Sequence, residues 1–475
     1  MGTRNLRISI GGIAIAVAML AGASGAAAAT INVTTTIDEF GSGNRCSLRE
    51  ALWSANNDDV TMAVGCRAGS GKDKVVVPSG QFNLERRNVA PEVIEGEEPL
   101  PVPKVEDLGV TGDLDVTAPV SIVHGGTNLA TIQNKMGNER LFHVLSDGVV
   151  LQGLTISGGR ANGEVNDHGG GILNEGGLTV RSSTISGNRA IYGGGISTAG
   201  TSTALIVNST VTGNEASEDG GGISVETAGT IAIRSSTVTN NEADRDGSGG
   251  GDGGGIFAST SADGGILELK NALIAGNRDT GSEASDCAKL GGTITSQGHN
   301  LISNANGCDF VAAAGDIINR QGMLLRLNYN GGPTWTSALK TISPAVNKGA
   351  GCPPKDQRGV ARTGKCDIGA WELSYCQGAV INRIGTESAD LLSGTSGRDG
   401  ILGLGGQDTL RGLGGNDGLC GGNGPDVLEG GPGRDKMDGG SGKDNCLGAN
   451  ARDTLVKCEL PKVKQPKKKG NKGRR

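Results

Sequence analysis

The chain has 475 residues, and its composition limits what it can be. Glycine contributes 85 residues and aromatic side chains only 2%, which excludes an ordinary aromatic-centred core and favours stacked repeats with glycine turns. The formal net charge is −6, but residues 462–475 carry eight positive and no negative charges, which leaves −14 on the rest. An acidic body of this kind favours a cationic ligand, and we expect no nucleic-acid partner.

The first 29 residues have the features of a secretory signal peptide. Arg4 and Arg7 precede an apolar run over 8–20, and small residues lead up to Ala29. We therefore predict cleavage before Thr30 and a secreted, extracellular protein. No later stretch of about 18 apolar residues occurs, so we predict no transmembrane segment in the mature chain.

A short strand at 31–35 is followed by a predicted helix. Ser47 and Glu50 form a capping box, and one face of the helix is apolar, formed by Leu48, Ala51, Leu52 and Ala55. The string at 46–51, Cys-Ser-Leu-Arg-Glu-Ala, resembles the CSLREA module at the start of many secreted bacterial repeat proteins. We expect the helix to cover the open end of a strand stack. Residues 86–107, rich in proline and glutamate, are predicted to be an exposed insertion.

A repeat of 24 to 36 residues follows over 114–278. Its clearest phrase is Gly-Gly-Gly-Ile, at 169–172, 193–196, 220–223 and 253–256. A strand rich in serine and threonine follows each phrase, and four such strands lead to a turn with an aligned asparagine: Asn188, Asn214, Asn241 and Asn277. Short β-branched strands at this period predict a right-handed parallel β-helix with one coil per repeat. We interpret the asparagines as an internal hydrogen-bonded ladder, with a catalytic or ligand-binding role as the alternative.

The glycine phrase resembles the GGAI repeat of polymorphic outer-membrane proteins. The companion F-x-x-N motif is replaced by Ser/Thr-x-Asn, which weakens the transfer of adhesin function but not of the fold. Residues 321–375 then hold four phrases, Asn-Gly-Gly-Pro-Thr, Ser-Pro-Ala-Val, Asp-Gln-Arg-Gly and Cys-Asp-Ile-Gly-Ala-Trp-Glu. In this order they resemble the C-terminal cap segment of CSLREA-type proteins, sometimes called choice-of-anchor Q. We therefore predict a capped β-helix over 30–320 and its C-terminal cap segment over 321–375.

Many parallel β-helices are polysaccharide lyases or hydrolases, whose sites need clustered carboxylates, or a basic residue with calcium, on the face of successive coils. The best candidates lie in glycine-rich loops at differing offsets from the repeat phrase, and we interpret them as solvated charges: Asp167, His168, Asp219, Asp246 and Asp252. A second cluster near Cys352 and Cys366 is interpreted as a salt-bridged cap closed by a disulfide: Asp356, Arg358, Asp367 and Glu372. No catalytic residue is predicted, and the lyase or hydrolase function is kept as the alternative.

The most regular segment runs from Gly385 to Val456, where a nine-residue register persists for eight repeats of the form G-x-x-G-x-D-x-U-x. The sixth position is always aspartate: Asp390, Asp399, Asp408, Asp417, Asp426, Asp435, Asp444 and Asp453. An apolar residue follows two positions later, which argues against the alternative of a disordered Gly-Asp-rich linker. The unit resembles the RTX, or haemolysin-type, calcium-binding repeat, and the resemblance implies a parallel β-roll over 376–458.

Calcium prefers six to eight oxygen ligands, which loop carbonyls and one carboxylate per loop supply. We expect the glycines at positions one and four to adopt φ > 0 and to turn their carbonyls toward the ion. The predicted glycine ligands are Gly394, Gly397, Gly403, Gly406, Gly412, Gly415, Gly421, Gly424, Gly430, Gly433, Gly439 and Gly442.

Two nonapeptides per coil would stack alternate aspartates on opposite edges. One stack would start at Asp390 and the other at Asp399, with about six ions at most between the coils. Ser388 and Ala451 replace the fourth-position glycine in the first and last repeats, so the end sites are expected to be weak. The strongest sites should involve the aspartates from Asp399 to Asp444.

The ten cysteines of a secreted chain point to disulfides. Connectivity does not follow from sequence, but neighbours in each region suggest five local pairs: Cys46 with Cys66, Cys287 with Cys308, Cys352 with Cys366, Cys376 with Cys420, and Cys446 with Cys458.

Together these features predict an all-β protein: a right-handed parallel β-helix with an N-terminal capping helix, followed by a calcium-binding β-roll. The expected role is structural or adhesive at a cell surface or in a matrix, with a polysaccharide or a surface receptor as partner. RTX proteins typically leave the cell without an N-terminal signal, so calcium here is expected to fold the roll after ordinary secretion. The tail, 459–475, is predicted to be disordered, with binding to an anionic surface as the alternative.

Overall fold

The computed structural model describes residues 27–41, 44–86, 112–161, 168–226, 228–245, 247, 251–259, 264–281, 285–447 and 452–459. Most of the predicted signal peptide, the body of the insertion and the basic tail lie outside the described residues. So do Asp167 and Asp246. Within the described ranges no helix has the length and apolar character needed to cross a membrane.

Three long parallel sheets and one short one run along the N-terminal two thirds of the chain. Sheet 1 contains Thr30–Asn32, Asp73–Val77, Val120–His124, Val149–Gln152, Gly177–Arg181, Thr203–Val207, Thr230–Arg234, Ile266–Lys270 and Thr293–Ser296. Sheet 2 contains Gly80–Leu84, Ala130–Asn134, Thr155–Ser157, Thr184–Ser186, Thr210–Thr212, Thr237–Thr239, Leu273–Ala275, Leu301–Ile302 and Ile317–Ile318. Sheet 3 contains Leu114–Val116, Phe142–Val144, Ile172–Asn174, Ile196–Thr198, Ile223–Val225, Ile256–Ala258 and Cys287–Lys289. The short sheet 4 contains Arg160–Ala161, Arg189–Ala190, Glu215–Ala216, Glu242–Ala243 and Arg278–Asp279.

Successive coils pair in register, which confirms the predicted parallel β-helix. In sheet 1, Leu178 pairs with Ala204 and Val180 with Ile206, so apolar side chains stack on apolar side chains. Such strands are too short to bury a face alone, and they bury it by joining one continuous core along the stack.

The predicted capping helix α1, Leu48–Asn57, is present with its capping box of Ser47 and Glu50. Its predicted apolar face is buried in the main core. Its polar side chains bind the backbone beside the first strand of sheet 3: Arg49 donates to the carbonyls of Gly112 and Asp113, and Asn56 to that of Asp115. The helix therefore satisfies backbone groups that an open sheet edge would expose.

The asparagine column forms the predicted internal ladder. The side-chain amide of Asn188 donates to Asn214, that of Asn214 to Asn241, and that of Asn241 to Asn277, each at 2.9 Å. The ladder ends on the buried carboxylate of Asp286, which accepts from Asn277 at 2.9 Å. Because their amides are engaged in the coil interior, these asparagines hold the bends of the helix.

Residues 321–375 lie along the outer face of sheet 2. The Gln357 side chain accepts from Thr210 Oγ1 and donates to Thr184 Oγ1, and the Ala370 N–H donates to Thr237 Oγ1. These three threonines occupy matching positions in neighbouring strands and are buried. The segment therefore covers a lateral face of the helix.

The predicted salt-bridged cluster is present in this segment. Arg358 pairs with Asp356 at 2.8 Å, and both side chains are fully buried. Arg362 pairs with Glu372 at 2.8 Å. Arg358 also donates to the carbonyl of Ile381, in the next sheet, so the cluster ties the segment to the C-terminal part of the chain.

Two further sheets form the C-terminal roll. Sheet 5 contains Tyr375–Cys376, Ala379–Ile384, Gly400–Gly405, Gly418–Asn423, Lys436–Ser441 and Thr454–Val456, and sheet 6 contains Leu391–Ser393, Thr409–Arg411, Val427–Glu429 and Asn445–Leu447. All pairings are parallel except the first hairpin of sheet 5. Leu419 pairs with Met437, and Leu410 with Leu428, so two nonapeptides make one coil as predicted. The apolar column fills the narrow interior: Ile401, Leu410, Leu419, Leu428, Met437 and Cys446.

All five predicted disulfides are present. Two of them belong to the roll: Cys376–Cys420 joins its first hairpin to a later coil, and Cys446–Cys458 joins its last coils. Because loop closure by a disulfide constrains the unfolded chain, these two bonds lower the conformational entropy that the roll loses on folding.

Candidate metal centre

The aspartate column of the roll forms two stacks, one on each edge. In each stack the backbone N–H of one aspartate donates to Oδ1 of the aspartate one coil later, at 2.8 to 3.0 Å. The first stack is Asp390, Asp408, Asp426 and Asp444, and the second is Asp399, Asp417, Asp435 and Asp453. These are the stacks that the nine-residue register predicts.

The second carboxylate oxygen of the inner aspartates has no hydrogen-bond partner. Five Oδ2 atoms are buried in this state: those of Asp408, Asp417, Asp426, Asp435 and Asp444. A buried acceptor without a donor costs about 1–3 kcal/mol, and more when it is charged. Five such atoms in one repeated position indicate a site completed by a cation.

The first-position glycines line the same spaces. A Cβ atom at Gly412 would lie 2.5 Å from Asp417 Oδ2 and 2.6 Å from the carbonyl oxygen of Gly430, distances that no real Cβ tolerates. The same pair of atoms, an aspartate Oδ2 and a glycine carbonyl one coil later, faces Gly403 and Gly421. These three first-position glycines therefore leave room where a carboxylate and a carbonyl converge.

The prediction that first-position glycines adopt φ > 0 was wrong. Among the described residues of the roll, positive φ occurs at the fourth position, as in Gly415 (132°) and Gly424 (115°), and at the second position, as in Gly431 (90°) and Leu413 (72°). The first glycine is needed for space. The fourth, except at Gly397, is needed for backbone conformation as predicted, and at Gly415 and Gly424 also for space, because a Cβ there would overlap a glycine carbonyl oxygen of the preceding coil. The periodic pattern shows only that both positions require glycine, because it carries no information on which constraint acts.

Asp399 was predicted to belong to the strongest sites, but both of its carboxylate oxygens accept hydrogen bonds from side chains. Its Oδ2 accepts from the N–H and the hydroxyl of Thr395, at 2.6 and 2.8 Å, and its Oδ1 accepts from Asn382. Asp390 is held in the same way by Thr386. Both threonines occupy the second position of their repeats, a signal visible in the sequence. From the sequence, weaker sites were predicted only at the first and last repeats, so the threonine contacts of Asp399 were not anticipated.

Burial changes the acidity of these carboxyl groups. It raises the pKa of Asp408 and of Asp417 to about 6, against the opposing effect of the backbone N–H donors. Burial also raises the pKa of Asp426 and of Asp435, and the next aspartate in each stack adds to the effect. Ionised carboxylates in this setting need a counter-charge, which a divalent cation between the coils would supply.

The donor set available in each loop consists only of oxygen atoms. Carboxylate and backbone carbonyl oxygens suit a hard cation such as calcium, and they lack the nitrogen or sulfur that zinc or copper prefers. Convergent oxygens, an unpartnered buried carboxylate and glycine-lined space thus fit calcium.

Comparison with known families agrees with this geometry. Residues 384–419 and 421–455 match the family of the RTX calcium-binding nonapeptide repeat (4 copies). The C-terminal roll is built of RTX calcium-binding repeats. Calcium is therefore the cofactor of this part of the chain.

No curated protein matches the chain. Among solved structures, pectate lyase Pel9A is similar over 73% of this chain and 97% of its own length, at 13% sequence identity and a TM-score of 0.37. At this level of similarity the match carries no argument about activity.

Three of the candidate residues of the β-helix, His168, Asp219 and Asp252, lie in the described part of the chain and are half-buried rather than solvated, contrary to the sequence interpretation. His168 Nδ1 lies 2.9 Å from Glu226 Oε1, and the backbone N–H of Asp252 donates to Asp219 Oδ1 at 2.8 Å. Burial raises the pKa of Asp219 to about 6. Sequence offers no sign of this burial, because it depends on neighbouring coils.

Proposed function

We propose that calcium is held between successive coils of the RTX roll by the five aspartates with unpartnered Oδ2 atoms. Each would share its ion with glycine carbonyls of the adjacent loop. The observation that supports this most strongly is the repeated convergence of a buried Oδ2 and a glycine carbonyl at the first position. Asp390 and Asp399 are weaker ligands in this proposal, because threonine donors already occupy their Oδ2 atoms.

In this proposal calcium also folds the roll. Without an ion, the stacked carboxylates repel one another and lack donors, whereas each bound ion links two coils. Extracellular calcium is millimolar and cytosolic calcium is far lower, so sites of moderate affinity would fill only after secretion. The disulfide-bonded β-helix carries no such dependence and serves as the permanent scaffold.

The biological role we propose is structural or adhesive, in a secreted protein at a cell surface or in a matrix. The outer side of sheet 1 leaves Thr179, Thr203 and Thr230 at least partly exposed, and such hydroxyl groups suit hydrogen bonding to polysaccharide or to a surface receptor. The alternative, a polysaccharide lyase or hydrolase, predicts depolymerisation. Incubation with acidic and neutral polysaccharides, followed by assay for unsaturated or reducing ends, separates the two functions.

The calcium proposal is tested by counting bound ions on the intact protein. Equilibrium dialysis at millimolar calcium should give several bound ions per chain. The upper limit is about six, because two stacks of four aspartates have three gaps each. A protein that binds no calcium under these conditions would contradict the proposal.

A further inference from the structure

A second cluster of carboxylate and imidazole side chains lies at the start of the β-helix, in sheet 3. Leu114 and Val116 of its first strand point into the core, so Asp113 and Asp115 project from the outer face. In the next strand Phe142 points inward and His143 outward. Parallel stacking pairs Asp115 directly with His143.

The three side chains present their ligand atoms to a common point. One ligand atom from each of Asp113, Asp115 and His143 lies within 4.8 Å of the others. Both aspartates are almost fully buried, with 2% and 1% of their surface exposed, whereas the histidine side chain keeps 17% exposure. The cluster is therefore reachable from solvent on the histidine side.

One oxygen of the Asp113 carboxylate lacks a binding partner. Its Oδ2 lies 3.3 Å from Arg140 Nε, but its Oδ1 is buried without a hydrogen-bond partner. A carboxylate that is held by arginine on one oxygen and unpartnered on the other has the arrangement of a metal ligand with outer support.

His143 has matching support. Its Nδ1 lies 3.4 Å from Asp115 Oδ1, and its Nε2 lies 3.0 Å from Glu175 Oε2. Histidines that bind metals usually donate their other ring N–H to a carboxylate, which orients the ring and raises its basicity. Glu175 is in position to accept that N–H while Nδ1 faces the cluster.

We propose that Asp113, Asp115 and His143 form a site for one divalent transition-metal ion, of the class of Zn²⁺ or Mn²⁺. An imidazole nitrogen with two carboxylates suits such ions, whereas calcium prefers oxygen ligands alone. Three protein ligands leave a coordination position for water. The site is chemically distinct from the roll and does not depend on the calcium proposal.

In an alternative state of this cluster, a protonated His143 takes the place of the metal ion. Burial disfavours protonation of His143, but the carboxylates of Asp115 and Glu175 outweigh it and raise its pKa. An imidazolium between these two carboxylates would then stabilise the cluster alone. Metal uptake distinguishes the two states.

The test uses the full-length, tag-free protein, stripped with chelator and reloaded with saturating calcium so that the roll is filled. Zn²⁺ and Mn²⁺ are titrated separately, and bound metal is counted by mass spectrometry after dialysis. One ion per chain is expected. Glu175→Gln, which changes a half-exposed residue, should weaken binding about 10–100-fold. Asp113→Asn and His143→Gln should abolish it.

Two controls accompany these variants. His124→Gln changes another half-buried histidine, one that contacts Ser79, and should leave uptake unchanged. Asp417→Asn should lower calcium uptake without affecting the transition metal. Wild-type protein that takes up neither ion beyond the level of the His143→Gln variant would overturn the proposal. So would an uptake that is equal in Glu175→Gln and the wild type.

Discussion

Each inner aspartate of the roll has two carboxylate oxygens in different surroundings. In Asp417, Oδ1 accepts from the backbone of Asp399, whereas Oδ2 is buried and unpartnered. The first contact maintains the register between coils, and the second creates the demand for a cation. Folding and ion binding thus use opposite sides of one carboxyl group.

Asp417→Asn should have opposite effects with and without calcium. In calcium-free protein the variant should be at least as stable as the wild type, because it removes a buried charge. With calcium it should bind one or two fewer ions, since Asp417 borders two gaps of its stack. The number of bound calcium ions, and thermal unfolding with and without calcium, measure these two effects. Glu429→Gln, in an exposed ion pair of the same roll, is the matched control. An unchanged ion count would count against Asp417 as a ligand.

Calcium binding should depend on pH. The folded pKa of Asp408 and Asp417, about 6, lies above the ordinary value of 3.8, so the calcium-free folded roll binds protons more tightly than the unfolded chain. The stability of the calcium-free roll therefore falls as the pH rises between about 4 and 6. Calcium must displace these protons, and its affinity should drop at least about tenfold between pH 7.5 and pH 5.

Calorimetry in buffers of different ionisation enthalpy provides the measurement. Proton release on calcium binding should be evident near pH 6 and negligible at pH 7.5. Release that is absent at pH 6 would mean that the aspartates are already ionised in the calcium-free roll.

Each loop of the roll depends on glycine for space and for backbone conformation. Two alanine variants test the requirement for space, one at a crowded glycine and one at a glycine with room for a methyl group. A Cβ at Gly412 meets Asp417 Oδ2 and the Gly430 carbonyl, whereas a Cβ at Gly414 meets nothing closer than 3.8 Å. Gly412→Ala should therefore lose calcium at the neighbouring gap, and Gly414→Ala should bind like the wild type. Calcium titration of both variants checks this. Equal affinities would contradict the assigned geometry.

Much of this architecture could be predicted from periodicity. The nine-residue register predicts the coil, the two stacks and the apolar interior, because these follow from a repeat alone. The different behaviour of Asp399 arises from Thr395, a single side chain within an otherwise regular loop. The cluster of Asp113 and His143 was missed because it joins residues from two coils that precede the first Gly-Gly-Gly-Ile phrase.

The β-helix and the roll are joined through a buried charged cluster. Arg358 pairs with Asp356, lies 4.4 Å from the Trp371 ring, and donates to the Ile381 carbonyl at the start of the roll. Residues 321–375 meanwhile bind the threonine column of sheet 2. In the proposed function, this arrangement lets the β-helix support a roll whose stability depends on calcium.

Arg358→Met should uncouple the unfolding of the roll from the unfolding of the β-helix. It leaves the carboxylate of Asp356 buried without its cation, which costs about 3–5 kcal/mol. In calcium, calorimetry should show the transition of the roll separating from that of the β-helix and moving to lower temperature. Arg234→Met, which breaks a half-exposed ion pair with Glu268, should leave the profile nearly unchanged. A single unaltered transition in Arg358→Met would show that this cluster does not join the two parts.

Hydrogen exchange of the intact protein, followed by mass spectrometry across a calcium titration, tests the central claim most directly. Peptides from the roll, over 400–447, should be weakly protected without calcium and strongly protected at millimolar calcium. Peptides from the β-helix strands, such as Thr203–Val207, should be protected throughout. Roll peptides whose protection does not change with calcium would contradict the account of a calcium-folded roll on a permanent scaffold.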